Sequence, residues 1–96
     1  MSSLESIKAV LASRKSELFA QYRIRKLALF GSYARSEQRS DSDVDILVEF
    51  DAPVGIEFID LAEHLESILE HRVDLVSRKG IKPQYFDRIS RELIYV

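Results

Sequence analysis

The chain has 96 residues, of which 46% are hydrophobic and 31% charged, with three Gly, two Pro and a formal net charge of -2. That length suits one compact domain spanning 1–96, and the composition excludes disordered and collagen-like chains. The lack of cysteine removes disulfides and thiolate metal sites, and the slightly negative balance gives no general electrostatic grip on a nucleic-acid backbone.

The opening run MSSLESIKAVLASRK carries charges every few residues, unlike a signal peptide or membrane span, so a soluble cytoplasmic protein without membrane contact is expected. Ser2 and Glu5 have capping-box spacing. Leu4, Ile7, Leu11, Leu18 and Tyr22 recur near helical period, widened by Val10 and Phe19, which predicts an amphipathic helix from Ser3 to Tyr22. Lys26 to Phe30 is a short apolar run ended by Gly31, as expected of a buried strand. Ser36 to Ser42 has loop composition, and Val44 to Val48 is the strongest strand candidate.

Pro53 and Gly55 punctuate the chain before a second amphipathic helix from Ile56 to Leu69. Arg72 to Val76 reads as a third strand, and Gly80 as the turn after it. Pro83 suits the first turn of a helix reaching Arg91, and Leu93 to Val96 reads as a terminal edge strand. The order describes a single mixed α/β domain with no repeat or linker.

Asp43 and Asp45 enter the strongest strand. Alternation puts them on one face with Cα atoms about 6.6 Å apart. Like charges that close need a cation between them or a proton on one, and carboxylate pairs suit Mg2+, which completes its shell with water and phosphate oxygens. Asp74 is a third acid on a neighbouring strand; matching register would make one cluster able to serve a two-metal site. Gly31 and Ser32, at a strand-to-helix turn, offer a backbone approach and a hydroxyl for phosphate, and Arg35 a cation for phosphate or for steadying the loop.

Gly31-Ser32, Tyr33-Ala34-Arg35 and Ser42-Asp43-Val44-Asp45, with Val73-Asp74-Leu75-Val76 and the Ile89 to Val96 ending, resemble the polymerase-beta-like nucleotidyltransferase superfamily. Within it, nearly the whole chain resembles the minimal nucleotidyltransferases (MNT), antitoxins paired with HEPN-domain toxins. The resemblance implies a nucleotidyltransferase fold, a small mixed β-sheet flanked by helices. It also implies two Mg2+ ions held by Asp43 and Asp45, with Asp74 as third carboxylate and base. The implied reaction moves AMP from ATP to a tyrosine of the HEPN ribonuclease toxin and silences it. Members often carry glycine where Ser36 stands and proline where Ser40 stands, which bears on loop rigidity.

Plainer readings compete. Asp43 could cap a turn, Asp45 could sit at a strand end and Asp74 could pair with an arginine; Asp41 and Ser42 suit turn shaping. Arg39, His64 and His71 suit a solvated surface, as does the basic run Arg78, Lys79 and Lys82, while Tyr33, Tyr85 and Tyr95 suit packing. Two other functions remain open: an antitoxin acting by direct binding with little catalysis, and nucleotidyl transfer to a small molecule or nucleic acid. The latter needs a second substrate-binding domain or a basic face. With the chain ending at Val96, the acceptor is expected to bring most of its own binding surface. A higher-order hetero-oligomer with the toxin is compatible with the apolar C-terminal edge, which one buried terminal strand explains equally.

Overall fold

A computed structural model describes residues 3–96. The chain runs α1 (Leu4–Tyr22), β1 (Ile24–Phe30), α2 (Gly31–Ala34), β2 (Val44–Phe50), α3 (Glu57–Leu69), β3 (Val73–Ser77), α4 (Pro83–Ile89), one 3-10 turn (Ser90–Glu92) and β4 (Ile94–Tyr95). This is the expected order, with most boundaries moved by one or two residues. β1 begins at Ile24 because Ile24 pairs with Phe50 and the Arg23 carbonyl accepts the Asp51 amide; exposed Arg25 and Lys26 mask that start in the sequence. β3 starts at Val73 rather than Arg72, and the last helix tightens into the 3-10 turn after Ile89.

α1 is capped by Ser3. Its hydroxyl accepts the Ser6 amide at 3.2 Å, and the Ser6 hydroxyl accepts the Ser3 amide at 2.8 Å, so two donors without helical partners are satisfied reciprocally. Of the expected Ser2–Glu5 box, Ser2 lies outside the described residues and Glu5 occupies the first turn. Ile7, Leu11, Leu18 and Tyr22 form the buried stripe of α1, and Leu61, Leu65 and Leu69 that of α3. The Tyr22 hydroxyl and His64 Nδ1, 2.9 Å apart, tie the two helices together, so His64 belongs to packing.

The sheet has order β3-β2-β1-β4, with β2 and β3 parallel and the other neighbours antiparallel. A parallel pair needs a long crossover, and α3 provides it. Leu27, Leu29, Val44, Ile46, Val48 and Leu75 pack toward α1 and α3 in the main core. Phe30, Leu47 and Val76 pack on the opposite face against Phe86 and Ile89 of α4. With both faces covered, β2 reads as an almost continuous apolar run, and each fully buried aliphatic side chain contributes ~1.5–3 kcal/mol. Among the described residues no helix is long and apolar enough to cross a membrane.

This topology brings the end of β1 and the starts of β2 and β3 to one end of the sheet. Phe30 pairs with Asp45, and Asp45 pairs with Asp74.

Candidate active site

Asp45 is the second residue of β2 and Asp74 the second of β3, so parallel pairing sets them side by side. Asp45 is half-buried and Asp74 exposed. The Asp45 carboxyl is pushed up to about 6, first by burial, then by the charge of Asp74 and a hydrogen bond with it, then by Asp43; Arg35 pulls the other way. In the metal-free protein the Asp45 carboxyl therefore holds its proton above the ordinary carboxylate range.

Asp43 lies just before β2 rather than in it. Its Oδ1 pairs with Arg72 Nε at 3.1 Å, and Arg72 Nη2 donates to the Asp41 carbonyl at 3.2 Å. Among the described residues no three carboxylate or imidazole side chains enclose a common point. Strand register thus unites Asp45 with Asp74, while Asp43 turns to a cation supplied by its own neighbourhood. Both partners of that ion pair are largely exposed, with side chains 46% and 74% accessible. Such a pair is worth about 0–1 kcal/mol, small beside the attraction between a carboxylate and a divalent ion. The donor set, all carboxylate oxygen with two acids side by side, fits Mg2+: Asp45 and Asp74 would hold it, with Asp43 recruited from Arg72.

Gly31 has φ 76, in the region that favours glycine, and lies directly over Asp45. A Cβ at Gly31 would overlap Asp45 Oδ2 and lie 2.9 Å from its Cγ. Only glycine brings the backbone this close. Ser32 follows it at the start of α2, half-buried, and its carbonyl accepts the Glu37 amide at 2.8 Å, which folds the following turn back on the helix. Ser36 within that turn has φ 57, a left-handed backbone carried by a non-glycine residue.

Arg35 does steady this loop. Its Nε donates to Glu37 Oε1 at 2.9 Å and its Nη1 to Glu92 Oε2 at 2.7 Å. The Glu37 bond most of all, then the Glu92 bond, pushes the guanidinium pKa further up. Glu92 Oε2 also accepts the Gly31 amide at 2.7 Å.

Glu92, Glu37 and Arg72 were not singled out from the sequence. For Glu92 a signal existed: a strand pairing antiparallel with β1 at Leu29↔Ile94 must bring the residues before it back beside the end of β1. Other candidates fall elsewhere. Arg78 stacks on the Phe86 ring at 3.7 Å beyond the far end of β3, where a groove of about 1150 Å3 is lined by Phe50, Pro53, Phe58, Arg78 and Lys79. Asp45 and Asp74 lie at the other end of the sheet, where β2 and β3 begin. Tyr33 is buried, edge-on to His71, while Tyr85 stands edge-on to Phe30 and Tyr95 lies exposed beneath Lys26.

Comparison with known proteins agrees with this arrangement. A family model described as a nucleotidyltransferase domain matches residues 8–96. The protein adenylyltransferase MntA of Thermococcus cleftensis is 43% identical over 97 residues, covering 100% of this chain and 98% of the relative. A solved structure assigned as a minimal nucleotidyltransferase superposes with a TM-score of 0.84 at 36% identity, covering 97% of this chain and 95% of that one. A crystal structure of a toxin-antitoxin with AMP-PNP gives a TM-score of 0.73 at 26% identity over 86% of this chain and 69% of that one. The sheet, the glycine laid over a carboxylate and the full-length match lead to one conclusion: the chain belongs to the nucleotidyltransferase domain family, in its minimal branch.

Proposed function

We propose that the protein is a Mg2+-dependent adenylyltransferase antitoxin that moves AMP from ATP to a tyrosine hydroxyl of a HEPN ribonuclease toxin. The observation that carries this reading is the Asp45–Asp74 carboxyl pair set against Gly31. The activity named for the Thermococcus relative and the nucleotide in the toxin-antitoxin neighbour support the donor and the kind of partner.

Asp43, Asp45 and Asp74 would hold the metal ions, two in number, which when bound neutralise the triphosphate and polarise the α-phosphate. Gly31 and Ser32 bring a close backbone and a hydroxyl to the β- and γ-phosphates, and Arg35 adds positive charge on the same side. Asp74, the more exposed of the paired acids, takes the proton of the incoming tyrosine hydroxyl. The tyrosine oxygen forms a bond to the α-phosphorus, the bond from that phosphorus to the bridging oxygen breaks, and pyrophosphate leaves. Catalysis is mainly positioning and charge neutralisation.

The test offers ATP labelled at its α-phosphate and Mg2+ with three acceptors in parallel: a HEPN toxin of the proposed kind, an aminoglycoside and RNA. Label on the toxin alone supports the proposal. Label on either other acceptor alone overturns the protein-acceptor reading, and toxin neutralised without label points to inhibition by binding.

A further inference from the structure

One carboxylate oxygen, Glu92 Oε2, receives both the Gly31 amide and Arg35 Nη1, each at 2.7 Å. These are short, charge-assisted bonds, and the Glu92 side chain is only 22% accessible. The preceding Phe30 supplies no side-chain cap to the short helix that Gly31 begins, so this remote carboxylate is what fixes the first amide of the turn. Gly31 is therefore held through two separate atoms, its Cα against Asp45 and its N–H by Glu92.

The segment that delivers Glu92 is itself well anchored. Ile89 before it is buried, Leu93 after it packs on the Phe30–Leu47–Ile89 cluster, Ile94 pairs with Leu29, and the Val96 amide donates to the Leu27 carbonyl at 2.9 Å. Arg35 spends Nε on Glu37 and Nη1 on Glu92, which leaves its Nη2 edge for an anion.

We propose that Glu92 is a positioning residue for nucleotide binding: it clamps Gly31 and Arg35 in the arrangement that receives the triphosphate. This rests on the adenylyltransferase reading above. The competing role is a placeholder, in which the carboxylate occupies an anion site that phosphate must win from it. Displacement would strand a mostly buried carboxylate next to the triphosphate charge, whereas a retained clamp keeps both of its hydrogen bonds. The two roles predict opposite signs when Glu92 is removed.

The experiment compares the wild-type chain with Glu92→Ala and Glu92→Gln. Calorimetric titration with ATP and Mg2+ reads affinity, the Gly31 amide proton shift reads the clamp without ligand, and circular dichroism checks folding. The clamp predicts affinity weakened about 10-fold or more in Glu92→Ala, with partial recovery in Glu92→Gln, which keeps an acceptor oxygen but loses its charge. The Gly31 amide proton moves upfield in the same order. KM for ATP rises more than kcat falls. Unchanged or tighter ATP binding in folded Glu92→Ala overturns the clamp. If that variant does not fold, Glu92→Gln decides by the same sign. A wild-type chain that binds no ATP overturns the adenylyltransferase reading and the clamp with it, while an amide shift that ignores Glu92 overturns the clamp alone.

Discussion

Gly31 lies so close over Asp45 that no side chain fits between them: a Cβ would overlap the Asp45 carboxylate oxygen. Gly31→Ala must therefore displace Asp45 as well as adopt an unfavourable positive φ. The expected cost is about 2 kcal/mol of stability. AMP transfer should fall far more than the fraction folded does, which thermal melts and rates on the same preparation will show.

Asp45 gives the metal-free protein a pH dependence of defined sign. Its folded pKa of about 6 stands above the ordinary 3.8, so the folded state binds the extra proton between those values. The contribution of Asp45 to stability is thus best below the lower value, falls as pH rises through that window and stays lost above it. Asp45→Asn removes this loss and raises stability at pH 7 by about 1 kcal/mol, a figure reduced for partial solvent exposure. Mg2+ should raise the melting temperature of the wild type above pH 6 more than below pH 5, and leave Asp45→Asn nearly unmoved.

Arg72 and Asp43 separate stability from chemistry. Their ion pair is exposed, so Arg72→Ala and Asp43→Ala should each change stability by less than about 1 kcal/mol. If Asp43 holds metal as proposed, Asp43→Ala should nonetheless lower AMP transfer by about 100-fold or more, with Arg72→Ala close to wild type. Equal losses in the two variants would place Arg72 in the chemistry.

Among the described residues three non-glycine positions have positive φ: Arg23 and Glu70 at helix C-termini and Ser36 in the turn after α2. Glu70→Gly and Ser36→Gly should each stabilise by about 0.5–1 kcal/mol, because relief of the left-handed penalty exceeds the added freedom of the unfolded chain. Chemical denaturation reads both. Ser36→Gly also tests whether a stiffer turn after α2 matters to nucleotide affinity.

The legible parts of this molecule were those encoded by local pattern. Val44-Asp45-Ile46 and Val73-Asp74-Leu75 announce acids on strands, while the parallel register that sets Asp45 beside Asp74 was only a condition in the sequence and is supplied by the pairing of β2 with β3. The amphipathic stripes of α1 and α3 were equally plain. What escaped depends on contacts far apart in sequence. Glu92 reaches Gly31 only because β4 folds back along β1, and Asp43 pairs with Arg72 because Arg72 comes beside it when β3 docks on β2. The start of β1 was hidden because Arg25 and Lys26 face solvent and interrupt the apolar run. The positive φ of Ser36 carries no signal in residue type at all.

The most direct test is the intact mass and peptide map of the proposed HEPN toxin partner after incubation with Mg2+, ATP and either the wild-type chain or an Asp45→Ala, Asp74→Ala variant that still binds the toxin. The account predicts AMP on a toxin tyrosine with the wild type, none with the variant, and ribonuclease activity lost only in the first case. A toxin silenced equally by both chains, with no added mass, would contradict it.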